Sequence, residues 1–194
     1  MRIIAVAMRR IEDNTCIRFK PRANERNYIQ IENRGGCSAI VGRAEGRGFV
    51  SLHNSNKGTC FTNGIVTHEL MHVIGLQHEH SRYDRDNFVK VHPENIKEGE
   101  LINNHSNANF KYYRLGQWSR FEKVNPDEFT TYGVPYDYKS IMHYRKGAFA
   151  RSGKIAIETL DPRYQVQPEE WQSEDVPSFQ VRGTSGKKWE CQLT

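Results

Sequence analysis

No stretch of this 194-residue chain approaches the ~20 consecutive apolar residues of a membrane-spanning helix, so a spanning segment is not expected. No basic cluster is interleaved with aromatics. The formal charge of +5 is spread among acidic neighbours, which favours a solvated surface over a nucleic-acid partner. Internal repeats and low-complexity tracts are missing too, which leaves a single folded domain as the simplest organisation. The opening "MRIIAVAMRR" is too short in its apolar core, Ile3 to Met8, for a secretion signal. A helix fits better, with Ile3, Ala7 and Ile11 along one face. No pro-segment is visible, so the chain reads as a core without targeting or processing parts.

Cysteine is sparse. Cys16, Cys37, Cys60 and Cys191 stand singly, and the lack of any C-x-x-C pair argues against a thiolate zinc site or a thioredoxin-like centre. An even count fits two disulfides in an oxidising compartment, with three pairings open; four free core thiols are the alternative. A sequon at Asn104-His105-Ser106 leans toward export.

What the chain does contain is ordinary in bulk, 37% hydrophobic and 26% charged, but sharply organised. After the first helix come short alternating runs, "YIQIE" (Tyr28 to Glu32), "SAIVG" (Ser38 to Gly42) and "FVSLH" (Phe49 to His53). Gly-rich punctuation between them suits hairpin strands of a small sheet. The stretch "TNGIVTHELMHVIG" then reads as a helix that Thr62 or Asn63 can cap and Gly75 can end in the left-handed conformation. Beyond His80 the chain turns polar and weakly periodic. The expectation is an α+β first half, a central helix and a loop-rich second half.

Inside that helix sit residues an apolar core does not need. His68 and His72, four apart, project from one face within reach of a single ion. Glu69, one step round, is close to the ion's free side but cannot point with both histidines, which suits a general base. A catalytic zinc keeps three protein ligands and an open position. A break at Gly75 lets the chain turn and bring His78 back as the third. Chance gives a bare H-E-x-x-H in roughly 2% of chains this long, and fixing Gly75 and His78 lowers that by a further factor of about 400.

The full stretch "HELMHVIGLQHEHSRYDRD", His68 through Asp86, resembles the signature of the astacin family of zinc endopeptidases, one of the metzincins. "SIMHY" (Ser140 to Tyr144) resembles that family's Met-turn. The likeness extends through "NTCIRFKPR" (Asn14 to Arg22), "GVPYDYKSIMHY" (Gly133 to Tyr144) and "IETLDPRYQ" (Ile157 to Gln165). It implies a zincin-like α+β fold. A small twisted N-terminal sheet with helices (residues 1–77, including the active-site helix) would face a loop-rich C-terminal subdomain (78–194) across a cleft. One Zn2+ per chain would be held by His68, His72 and His78, with Tyr144 as a displaceable further ligand. Glu69 would be the general base, Tyr144 a donor to the oxyanion, and Met142 an apolar floor beneath the metal. Glu79 would match a glutamate that helps receive the mature N-terminus, and Arg82, Asp84, Arg85 and Asp86 would be structural. By the same resemblance Cys37 pairs with Cys60 and Cys16 with Cys191.

The implied activity is endopeptidase cleavage of proteins or peptides by attack of a zinc-bound water, outside the cell. An inhibitory pro-segment, not present in this chain, is a further implied partner. The chain departs from the family pattern in three places. It starts within the family's first long helix, the stretch around Phe110 to Phe121 is insertion-like, and residues 166–190 lack the helix expected before the last cysteine. Those departures keep a second reading open, an impaired or incomplete domain retained to bind protein surfaces, against which the intact Glu69 speaks. A third, an intracellular zinc-stabilised module, fits poorly with an open three-histidine site.

Overall fold

The first helix, α1 (Arg2–Asn14), sinks Ala7 and Ile11 completely, as the spacing predicts, and packs across the central helix, α2 (Asn63–Val73). The computed structural model describes residues 2–56, 58–97 and 117–164. Between the helices lie β1 (Tyr28–Glu32), β2 (Cys37–Ala39) and β3 (Arg47–Leu52). β3 is the central strand, with Val50 and Leu52 facing the core, and β2 is an edge.

The expectation of hairpin strands holds for only one pair. β2 runs antiparallel to β3, with Cys37 opposite Leu52, whereas β1 runs parallel to β3, with Tyr28 opposite Arg47. Alternation in the sequence says which face of a strand is apolar, not which neighbour it pairs with or in which direction. β2 also stops sooner than "SAIVG" suggests. At Gly42 the backbone turns to φ 76°, and its N–H donates to the His72 carbonyl at 2.9 Å. This ties the loop after the edge strand to the end of α2. A small hairpin, β4 (Asn54–Ser55) with β5 (Gly58–Thr59), leads into the helix.

The Cys37–Cys60 disulfide staples the start of β2 to the residues just before α2. Cys191 lies outside the described residues, and with it the Cys16–Cys191 pairing; so do residues 166–190 and most of Phe110 to Phe121.

The second half is loop-rich, as its texture predicts. Among its described residues the strands are β6 (Val89–Val91) and β7 (Ile157–Thr159), an antiparallel pair, with tight single turns such as Glu79–Ser81 and Gln117–Phe121. Two apolar clusters result among the described residues. One gathers Ala7, Ile11, Val50, Leu52, Val66 and Leu70 around the helices and sheet; the other gathers Val89, Ile96, Phe121, Tyr136 and Ile157. Met142 crosses over: it comes from the second half but is buried in the first cluster.

Candidate metal centre

α2 starts and stops by local chemistry. Thr62 caps it, its hydroxyl accepting from the Ile65 N–H at 3.2 Å, which decides between the two caps the sequence allows. At the other end Gly75 takes φ 105°, a backbone conformation that L side chains rarely adopt. The Gly75 N–H donates to the His72 carbonyl (2.9 Å) and the Leu76 N–H to the Met71 carbonyl (3.1 Å). These are the two bonds of a Schellman ending. The chain reverses there, and His78 folds back over the face that carries His68 and His72.

The three imidazoles meet through Nε2. His78 Nε2 lies 3.2 Å from Nε2 of His72 and 3.2 Å from Nε2 of His68. Their outer nitrogens are fixed by backbone: His68 Nδ1–H donates to the Ile141 carbonyl and His72 Nδ1–H to the Leu76 carbonyl, each at 2.8 Å. A neutral imidazole that donates from Nδ1 has a bare lone pair on Nε2. Burial pushes His68 down to about 4, with the neighbouring His72 adding to it, and burial likewise lowers His72 and His78. The three rings are therefore neutral, and His68 and His72, each donating from Nδ1, turn bare Nε2 lone pairs toward His78 Nε2. A tetrahedral zinc with nitrogen ligands at ~2.0–2.1 Å needs nitrogens about 3.3–3.4 Å apart. The spacing fits, and these are the residues among those described whose ligand atoms converge as a metal-binding group. The donor set, three neutral imidazoles, suits zinc.

Glu69 follows His68 directly on α2. It is 5% exposed, and its Oε2 is buried without a hydrogen-bond partner. Burial raises its pKa to about 7. A carboxylate this poorly satisfied is costly in a purely structural role and is poised to take or give a proton near neutrality.

The Met-turn approaches α2 from below. Met142 is 1% exposed, and its carbonyl accepts from the Glu79 N–H at 2.8 Å. Together with the His68–Ile141 bond this pins the turn to both sides of the histidine cluster. Tyr144 follows, its ring centroid 4.5 Å from that of His78. Burial raises the pKa of its phenol, and the guanidinium of Arg120 beside it acts in the opposite direction.

Glu79 and the charge run after it form a buried lattice. Arg82, 2% exposed, donates to Glu79 Oε1 (3.0 Å), to both oxygens of Asp84 (2.8 and 2.7 Å) and to the carbonyls of Val134 and Pro135. Glu79 Oε1 also accepts from the Asp137 N–H at 3.2 Å. Arg85 donates to the carbonyls of His80 and Phe121. The lattice fixes the loops that carry the third histidine and the Met-turn.

Two residues to which the motif gives no role stand beside the site. His80, fully buried, stacks on Tyr144 with centroids 4.0 Å apart, and its Nε2 donates to the Arg120 carbonyl at 3.2 Å. His80 gives a weak signal, since it abuts the motif without a ligand's place in it. Arg120 gives none, being 24 residues before Tyr144 in a stretch without periodicity.

An open three-histidine metal site with an adjacent unsatisfied glutamate, on a helix ended by glycine, defines the zinc hydrolase class of site. Comparison with known proteins narrows the class. The family model Astacin, a peptidase family, matches residues 1–179, and the chain belongs to this family. It is 42% identical over 164 residues to the zinc metalloproteinase nas-5 of Caenorhabditis elegans, covering 84% of this chain and 41% of that protein. To bone morphogenetic protein 1 of Xenopus laevis it is 38% identical over 84% of this chain and 20% of that protein. The fold matches high choriolytic enzyme 1, a hatching enzyme zinc-protease from Oryzias latipes. The TM-score is 0.69 at 34% identity, covering 85% of this chain and 71% of that one. The chain thus spans well under half the length of the curated relatives just named. The α+β, metzincin-like fold and the candidate zinc site both agree with the family.

Proposed function

We propose that residues 1–194 form one peptidase domain, with 1–77 and 78–194 as its two subdomains, acting as a zinc-dependent endopeptidase on protein substrates outside the cell. The observation that carries this reading is the convergence of the Nε2 atoms of His68, His72 and His78 beside a buried carboxylate with one unsatisfied oxygen. Zinc, when bound, polarises the scissile carbonyl and acidifies water. Glu69 takes the proton from the attacking water and passes it to the departing amine, and its raised pKa, about 7, suits both transfers. The Tyr144 phenol, next to His78, donates a hydrogen bond to the oxyanion of the tetrahedral intermediate. β2, an edge strand with exposed residues, offers open backbone groups along which an extended peptide can pair. Extracellular action is supported by the Cys37–Cys60 bond, a feature of oxidising compartments.

Glu69→Gln tests the reading. The variant should keep about one zinc per chain and lose hydrolysis of a denatured protein substrate by several orders of magnitude. Turnover at the parental rate would refute Glu69 as the base; loss of zinc would show that it acts as a ligand or support instead.

A further inference from the structure

His80 and His143 are imidazoles beside the metal centre, yet both stand outside the group whose ligand atoms converge. Each has both ring nitrogens engaged elsewhere. The Tyr144 N–H donates to His80 Nδ1 at 3.3 Å, and His80 Nε2–H donates to the Arg120 carbonyl at 3.2 Å. His143 does the converse. Its Nδ1–H donates to the Tyr144 carbonyl at 2.6 Å, and its Nε2 accepts from the Tyr136 hydroxyl at 2.7 Å. An amide N–H can only donate and a carbonyl can only accept, so the two neutral rings are held in opposite tautomers. Tyr144 lies outside any helix or strand, and side chains hold both of its backbone polar groups.

The phenol ring is restrained as well. His80 stacks on it with centroids 4.0 Å apart and 26° between planes. Phe121 meets it edge-on at 5.7 Å, and Phe149 packs against it at 5.4 Å. The restraints are rooted in the interior, since His80 and Phe121 are fully buried. Tyr136, which holds His143, stacks on Phe88 at 4.6 Å and has the Arg82 guanidinium 5.4 Å from its ring centroid. With its backbone fixed and one ring face covered, a tyrosine keeps few of its staggered rotamers.

We propose that His80 and His143 are positioning residues for Tyr144, clamping its amide and its carbonyl so that the phenol is presented in one orientation beside His78. A donor that meets charge developing in a transition state has to be in place beforehand, and a misplacement of about 1 Å can cost on the order of a hundredfold in rate. Both histidines act through Tyr144, and the inference rests on the reading of Tyr144 as an oxyanion donor.

His80→Phe keeps a ring to stack and removes the amide tie, while His143→Leu removes the carbonyl tie. In each, kcat should fall on the order of tenfold to a hundredfold with KM held, and no further than it falls in Tyr144→Phe. His80→Gln keeps one acceptor and one donor and should recover part of the loss. Without the phenol the clamp has nothing to position, so His80→Phe added to Tyr144→Phe should lower kcat little further. A second readout needs no turnover. In zinc-loaded protein carrying isotope-labelled tyrosine, the Tyr144 ring signal, identified by its loss in Tyr144→Phe, should be single and sharp. In His80→Phe and His143→Leu it should broaden or split. His143, the less buried of the two, carries the same test should His80→Phe not fold. Parental kcat and a sharp signal in the histidine variants, beside a slow Tyr144→Phe, would overturn the clamp alone. Equal losses with and without the phenol would also overturn it, by making the histidines purely structural. Failure of the underlying reading looks different: Tyr144→Phe itself would then keep full kcat.

Discussion

Removing the Cys37–Cys60 bond separates what holds the domain together from what holds the metal. The bond closes a loop of sequence separation 23, and the chain-entropy relation for that length gives about 3.4 kcal/mol at 25 °C. Cys60 is 1% exposed, so both cysteines should be replaced by alanine, which leaves no free thiol and no buried hydroxyl. For a domain of this size each kcal/mol shifts Tm by about 2–4 °C, so the double variant should melt roughly 7–14 °C lower. Thermal unfolding followed by circular dichroism measures this, with zinc saturation matched because bound metal raises Tm by mass action. Well below the transition, zinc affinity and turnover should be close to parental. The histidines are set by α2, by the turn at Gly75 and by the Ile141 and Leu76 carbonyls, which lie outside the loop; the tie made from within it is the Gly42 N–H to the His72 backbone carbonyl, not to a ring. A Tm shift under about 2 °C would refute the entropic argument. Loss of zinc at low temperature would refute the independence of the site from the staple.

Other outcomes follow from single contacts. His78→Ala should weaken zinc binding more than about 100-fold, since losing even a partner behind a ligand costs 10–100-fold; competition with a chromogenic chelator reads it. Gly75→Ala should cost about 1–3 kcal/mol by denaturant unfolding, because φ 105° strains any L side chain, and should lower zinc affinity by moving the Leu76 carbonyl that orients His72. His92 bridges Glu158 (2.9 Å) and Glu94 (3.0 Å), and these hydrogen bonds raise its pKa above 6.5. The folded state thus binds the proton more tightly, and the stabilisation is complete below 6.5 and lost as pH rises through the folded value. The Tm gap between parent and His92→Gln should accordingly narrow from pH below 6.5 to pH well above it, and a gap that widens would reverse the sign.

Much of the centre was legible in the sequence because it is local. His68, Glu69 and His72 are placed by helical spacing alone, and Thr62 and Gly75 bound that helix by capping chemistry that acts within four residues. The same holds for α1, where Ala7 and Ile11 lie on the face the spacing marks. Met142 and Tyr144 were legible only through the resemblance, since nothing in the turn itself calls for a floor or a donor.

Tertiary structure alone decided the rest. The parallel pairing of β1 with β3 depends on which strand buries both faces, a property of the whole sheet. The structural place of Arg82 and Arg85, implied only by the resemblance, is made by carbonyls from Val134, Pro135 and Phe121, contacts 36 to 53 residues away. The backbones of Arg120 and Tyr144 are tied to one imidazole, His80, 40 residues from the arginine and 64 from the tyrosine. Spacing fixes groups within a helix turn, but meetings across tens of residues are set by burial, and burial is known only once the chain has packed.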